Sequence, residues 1–270
     1  MLRIGHRGTT QHGLENTVTA FRKAMREGGD GVELDVRESK DGVLVVSHDP
    51  RVDRVTDGSG FVKDLTLSEL KDLAVAGVVG QFATYSEALD AVSGSNKLKM
   101  IQIDLKVPGV SHGLAAQING RRLRDIAVVS SFRKDLLREM KGTDSGIMTG
   151  LIKIMPFSGP IEYLASETEK SRLKLKIKDK LYHIYLYPIL LINRLLGSAG
   201  SDLLKDANEI GTDYIMFYWR AGTKRFVRRA HEEGFSVVAG MVDTERGMRR
   251  MERIGVDVAV TNRCDLLRHK

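Results

Sequence analysis

Short runs of apolar and β-branched residues alternate with amphipathic stretches along nearly the whole chain. The runs that predict strands are Leu2–His6, Gly31–Val36, Met100–Leu105, Ile126–Ser131, Gly146–Leu151, Tyr214–Phe217, Ser236–Val242 and Val256–Thr261. Between them, segments such as Thr17–Glu27, Arg133–Lys141, Thr223–Glu233 and Thr244–Arg253 space their apolar residues as helices do. Strands that alternate with helices build parallel βαβ units, and eight units in roughly 250 residues predict an α/β fold, a TIM (β/α)8 barrel. An open, doubly wound sheet is the competing architecture. On the barrel reading, residues 1–270 form one domain.

Two stretches break the alternation. Residues 37–64 hold an extra strand-like run, Val43–Ser47, entered through the turn Lys40-Asp41-Gly42 and followed by the glycine-rich "VTDGSG". This is a small insertion after strand 2. Residues 152–212 form a longer one between strands 5 and 6, far beyond the usual connection length, which marks a functional or inserted segment.

Composition narrows the partners. The chain carries a net charge of +7, which favours anionic ligands such as phosphates or acidic lipid headgroups. Aromatic residues make up only 6% and no nucleic-acid-binding module is recognisable, so nucleic acid is not an expected partner. The single Cys264 excludes a disulfide framework. With no apolar run before the first strand, it leads to an expected cytoplasmic location. The "DGSG" turn matches neither a Walker loop nor a dinucleotide fingerprint.

In a barrel, chemistry sits at the carboxyl ends of the strands. The first strand ends in His6-Arg7, between Gly5 and Gly8. The second carries Glu33 and Asp35 two residues apart, so both leave one face, while Val32, Leu34 and Val36 occupy the other. The third carries Gln102, Asp104 and Lys106 with the same parity, and the small hairpin ends in His48-Asp49. Taken alone, Glu33 and Asp35 suit a solvent-facing strand. In a barrel, however, the valine and leucine face must meet the helices, and the carboxylates then point inward. Carboxylates crowded in a barrel mouth call for a cation, and oxygen ligands suit a hard divalent metal. His6 and His48 beside such a site suit a general acid–base pair, and Arg7 and Lys106 suit a phosphate. The inventory points to phosphoester cleavage. His12, His112, His183, His231 and His269 have no such company and read as surface or packing residues, and Cys264 as structural.

The motifs "GHRG", "ENT", "GVELDV", "SKDGVLVVSHDP", "DRVTDGSG", "LTLSEL", "ATYSEALD", "IDLK" and "SSF" resemble, in order and spacing, the glycerophosphodiester phosphodiesterase family. The similarity is dense over residues 1–135 and resumes weakly over 223–270. The resemblance implies a TIM barrel that hydrolyses glycerophosphodiesters to glycerol 3-phosphate and an alcohol with one divalent cation, Ca²⁺ or Mg²⁺. It implies His6 and His48 as the acid–base pair, Arg7 and Lys106 as phosphate contacts, and Glu33, Asp35 and Asp104 as metal ligands. Glu15 and Asn16 order the first loop on this reading, with Glu15 reaching Arg7 or the glycerol. It also implies attack by the glycerol 2-hydroxyl, giving a cyclic intermediate that water opens. The chain departs from the family pattern at Asp104, one methylene shorter than the usual Glu, where a bridging water is expected. It departs again at Gly240-Met241-Val242-Asp243, in place of Trp-Thr-Val-Asn. A third departure is Thr261-Asn262-Arg263-Cys264, in place of Thr-Asp-x-Pro. The alternatives are phospholipase-like cleavage of a membrane lipid headgroup and non-catalytic binding of one.

Within the long insertion, "KSRLKLKIKDK" sets six cations at every second position from Lys170 to Lys180, and an apolar run of 16 residues broken by Pro188 follows. That run is shorter than the roughly 20 residues a membrane-spanning helix needs. Residues 170–197 read either as a buried helix or homodimer contact with a basic edge, or as a peripheral contact with an anionic membrane.

Overall fold

The computed structural model describes residues 1–10, 14–153 and 201–268, with Ser201 and Cys264 described by backbone alone. Among these residues, eight parallel strands close into a barrel. They are β1 (Leu2–Gly5), β2 (Gly31–Glu38), β6 (Met100–Leu105), β7 (Ala127–Ser131), β8 (Met148–Lys153), β9 (Tyr214–Tyr218), β10 (Ser236–Gly240) and β11 (Val258–Thr261). They pair in the order β1-β11-β10-β9-β8-β7-β6-β2, and β1–β2 pairing closes the ring. The TIM barrel expected from the alternation is therefore the fold. Every strand end lies within two residues of the sequence reading. The fifth strand runs two residues later, and the seventh stops at Gly240 because Met241 adopts a left-handed backbone (φ 60°).

The connections include α1 (Val18–Arg26), α3 (Tyr85–Ser93), α4 (Ser111–Gly120), α5 (Lys134–Thr143), α6 (Ser201–Ile210), α7 (Lys224–Glu232) and α8 (Glu245–Ile254). Threonine starts α1, α3, α7 and α8. Each Oγ1 of Thr17, Thr84, Thr223 and Thr244 accepts a backbone N–H three residues on. Each such cap stabilises its helix by about 1 kcal/mol.

Side-chain alternation divides the strands into two faces. Val32, Leu34, Val36, Ile101, Ile103 and Leu105 face outward and pack against Phe21, Ala24, Leu89 and Leu114 of the helices. Inside the ring, Ile4, Met100, Val128, Met216, Val238, Val258 and Val260 form a separate apolar plug. The polar inward residues of β2 and β6 lie above that plug, toward the carboxyl ends.

The excursion after β2 has its own small core. β3 (Leu44–Val46) pairs antiparallel with β2, as the turn at Lys40–Gly42 predicts. The excursion continues through α2 (Leu67–Asp72) and the hairpin β4 (Ala74–Val75)–β5 (Val78–Val79). Val45, Val52, Val62, Leu70, Val75 and Phe82 bury one another beneath it. This core holds the segment carrying His48, Asp49 and Arg54 against the barrel mouth. Residues 170–197, read above as a buried or membrane-contacting segment, lie outside the described residues, as do His12, His183 and His269.

Gly31 marks the closest backbone approach in the barrel wall, since a Cβ there would stand 1.8 Å from the Met100 carbonyl oxygen. Gly31→Ala is expected to cost about 1–3 kcal/mol through backbone displacement. Gly142→Ala, on the last turn of α5 with open space around it, is expected to be neutral or stabilising by up to about 1 kcal/mol. Thermal unfolding of the two variants checks the opposite signs.

Candidate active site

The mouth is assembled from strand ends and two strained turns. The His6 backbone N–H donates to the Thr261 carbonyl at 2.8 Å, carrying the β1–β11 ladder one residue past the strand. Arg7 then turns left-handed (φ 52°), which aims its backbone N–H at Glu33 Oε2, 2.8 Å away. Asn16 is also left-handed (φ 56°), and its amide grips Asp35 from both ends. Nδ2 donates to Asp35 Oδ2 at 2.8 Å, and Oδ1 accepts the Asp35 backbone N–H at 3.3 Å. Left-handed backbone at a non-glycine residue costs on the order of 1–3 kcal/mol, and it persists here because these hydrogen bonds over-determine the turns.

Glu33, Asp35 and Asp104 are buried together, with one carboxylate oxygen from each lying within 4.8 Å of the others. Burial, with Asp35 and Asp104 nearby, pushes Glu33 well above the usual carboxylate range. Asp104 is also raised, chiefly by burial. Asp35 goes the other way: against its burial, Lys106, His48, Arg7 and the Asn16 amide hold it well below that range. Asp104 Oδ1 and the neighbouring Gln102 Oε1 are buried acceptors without a hydrogen-bond partner. Unpartnered buried oxygens among crowded carboxylates fit a divalent cation that takes oxygen ligands. One Asp104 oxygen belongs to this set despite the shorter side chain.

The cations expected to meet phosphate are drawn into the cluster. Lys106 Nζ lies 2.9 Å from Asp35 Oδ1 and 2.5 Å from Asp104 Oδ2, and 5.7 Å from the Phe132 ring centroid. Arg7 Nη1 donates to Glu15 at 2.8 Å, while its Nε is 3.4 Å from Asp35. Glu15 thus reaches Arg7, one of the two targets expected from the sequence.

Both histidines flank the acidic cluster. His6 Nδ1 is 2.7 Å from Asn262 Oδ1, and its Nε2 faces Glu33 at 3.9 Å. Burial, reinforced by the Arg7 charge, pushes the imidazole down to about 4, so it is neutral at pH 7. His48 lies near enough to influence Asp35, Asp104 and His6 electrostatically, and its Nδ1 is 2.7 Å from Asp49. Two Arg37 N–H groups donate to the His48 carbonyl.

Sequence reasoning missed several residues here. Arg54 reaches Glu15 at 2.5 Å and also pairs with Asp49, tying the first loop to the His48 loop. Asp243 and Asn262 form a hydrogen-bonded pair behind His6. The only signal for Arg54 was its place in "DRVTDGSG", and Asp243 and Asn262 stood out only as departures. His112 and His231 are exposed, in line with their reading as surface residues. The side chain of Cys264 lies outside the described residues.

The sequence profile of the Glycerophosphoryl diester phosphodiesterase family matches residues 6–266. The chain belongs to that family. The match to the phosphodiesterase family begins at His6 and ends at Leu266, so it takes in every strand end that builds the mouth. A glycerophosphodiester phosphodiesterase of Caldanaerobacter subterraneus subsp. tengcongensis is 39% identical over 158 residues, covering 55% of this chain and 65% of the relative. Glycerophosphodiester phosphodiesterase 1 of Homo sapiens is 32% identical over 161 residues, covering 55% of this chain and 47% of the relative. The matched stretches thus span less than two thirds of these relatives. The crystal structure of an Agrobacterium tumefaciens glycerophosphodiester phosphodiesterase superposes with a TM-score of 0.72 at 20% identity, covering 99% of this chain and 98% of that one. An Oleispira antarctica phosphodiesterase in complex with the product sn-glycerol-3-phosphate gives 0.71 at 21% identity, covering 99% and 95%. At these identities the likeness is one of fold.

Calorimetric titration with Ca²⁺ or Mg²⁺ is expected to show one site. Because Glu33 is held above the usual carboxylate range, binding should release a proton, and apparent affinity should weaken as pH is lowered. Asp104→Asn should weaken it by more than about tenfold. A binding enthalpy that does not change between buffers of different ionisation heat would contradict the assignment.

Proposed function

We propose that this chain, acting as one unit over residues 1–270, hydrolyses glycerophosphodiesters to glycerol 3-phosphate and an alcohol. The observation that carries the reading is the buried Glu33–Asp35–Asp104 cluster, with His6 facing Glu33, His48 near enough to act on Asp35 and Asp104, and Arg7 and Lys106 in contact with it. Family membership and the product named for the Oleispira antarctica structure support it. The substrate class also agrees with the chain's net positive charge.

Glu33, Asp35 and Asp104 would hold the divalent cation, Ca²⁺ or Mg²⁺, which when bound supplies Lewis-acid stabilisation of charge on the phosphoryl oxygens. Arg7 and Lys106 stand at the rim of that cluster, where their remaining N–H donors can meet phosphate oxygens. His6, neutral and with Nε2 turned to the mouth, takes the proton from the attacking glycerol 2-hydroxyl, and returns it when water, losing its own proton to His48, opens the resulting cyclic ester to glycerol 3-phosphate. His48, with Nδ1 on Asp49, gives a proton to the departing alkoxide as the P–O bond breaks. Glu15, through Arg7 and Arg54, holds the first loop and the His48 loop in register. A headgroup-binding protein would need no such acid–base pair.

Release of glycerol 3-phosphate from glycerophosphocholine, with Ca²⁺ or Mg²⁺ and against chelator, tests this. His6→Ala and His48→Ala are each expected to lower kcat by about 10²–10⁴. Full activity in His6→Ala, or turnover of intact phospholipid in preference to the deacylated diester, would overturn it.

We also propose that residues 170–197 bring the enzyme to anionic membrane from the cytoplasmic side. Six alternating cations followed by an apolar run support this, since each cation near such a surface contributes about 1 kcal/mol. The segment joins the barrel between β8 and α6, on the connection that leaves the carboxyl end of β8. Among the described residues no helix is long and apolar enough to cross a membrane. The full chain should sediment with phosphatidylserine vesicles at low salt, and a chain lacking 170–197 should stay in the supernatant. Equal sedimentation of both would sink the idea.

A further inference from the structure

Behind His6 runs a chain of hydrogen bonds that involves no metal ligand. It links the ends of three neighbouring strands, β10, β11 and β1. The left-handed Met241 bends the backbone after β10, and the Val242 N–H donates to the Val260 carbonyl at 2.9 Å. Asp243 is thereby laid against the end of β11. Its Oδ1 accepts from Thr261 Oγ1 at 3.0 Å and from the Asn262 backbone N–H at 2.8 Å. Its Oδ2 accepts from Asn262 Nδ2 at 2.7 Å.

These contacts settle which way each group faces. A carboxylate only accepts, so Asn262 must turn its NH₂ toward Asp243 and its Oδ1 away. On that far side stand His6 Nδ1 at 2.7 Å and Thr10 Oγ1 at 3.2 Å. An amide oxygen also only accepts, so the proton of a neutral His6 lies on Nδ1, which donates to Asn262. Nε2 is left as the acceptor, and Nε2 is the nitrogen facing the mouth. We propose that Asp243 and Asn262 are positioning residues that fix the His6 tautomer, so that Nε2 is presented to substrate as the base. The catalytic consequence rests on the phosphodiesterase reading above; the tautomer assignment does not.

The polarity can be reversed by one isosteric change. In Asp243→Asn, the new amide oxygen keeps the two donors Thr261 Oγ1 and Asn262 N–H, and its NH₂ then points at Asn262. The Asn262 amide must flip to accept, presenting its own NH₂ to His6 Nδ1. His6 Nδ1 becomes the acceptor and the proton moves to Nε2, which abolishes the base. Exchanging the pair, Asp243→Asn with Asn262→Asp, restores an acceptor opposite Nδ1.

Ring ¹⁵N shifts of labelled histidine at pH 7, assigned with His6→Gln, read the tautomer directly. The expected result is Nδ1–H in the parent, Nε2–H in Asp243→Asn, and Nδ1–H again in the exchanged pair. In the glycerophosphocholine assay, Asp243→Asn should lower kcat by about 10²–10⁴ with KM within about twofold, and the exchanged pair should recover most of the loss. An Nε2–H ring in the parent, or an Asp243→Asn ring identical to the parent's, overturns the proposal. Predicted ring shifts in a parent that cleaves no glycerophosphodiester would uphold the tautomer assignment and overturn the phosphodiesterase reading.

Discussion

Glu33, Asp35 and Asp104 bring three carboxylates out of water and within 4.8 Å of one another, an arrangement that electrostatics opposes. The rest of the mouth answers that repulsion. Lys106 spans Asp35 and Asp104, Arg7 braces Asp35, and Asn16 gives Asp35 a further donor. The compensation is uneven: Asp35 is held ionised while Glu33 and Asp104 are pushed toward protonation. A divalent cation would resolve the imbalance, and phosphate would give Arg7 and Lys106 a competing partner. The same residues therefore bear on the charge balance of the cluster and on its proposed chemistry.

The loops of the site are fastened to each other as well as to the barrel. Glu15 is shared by Arg7 and Arg54, and Arg54 also holds Asp49, which in turn holds His48. The excursion after β2 supports that loop from below with a core of its own. On the far side the ends of β10 and β11 hold His6 through Asp243 and Asn262. Each histidine thus has Nδ1 engaged, His48 by the adjacent Asp49 and His6 by Asn262 from the opposite end of the chain.

Much of this was legible in the chain. The alternation of β-branched runs with helical periods predicted eight strands because a parallel barrel buries every strand on both faces. The parity of Glu33 and Asp35 against Val32, Leu34 and Val36 placed the carboxylates inside for the same reason. The early end of β10 was not legible. The strand pattern runs on through Val242, and only a left-handed Met241, stabilised by contacts from β11, breaks it. Arg54, Asp243 and Asn262 carry no period or spacing that marks them, since the contacts that matter, Arg54 to Glu15, Asp243 to Thr261 and Asn262 to His6, join residues at least 18 apart in the chain.

By itself the sequence determined the fold class, the inward face of each strand, and the inventory of acids, bases and cations at the strand ends. Local periodicity and residue chemistry suffice for those. Only the tertiary structure decided how protons and charges are distributed among them. That distribution depends on burial and on oriented partners from distant strands: which carboxylate stays charged, which cation is drawn inward, and which nitrogen of His6 is free.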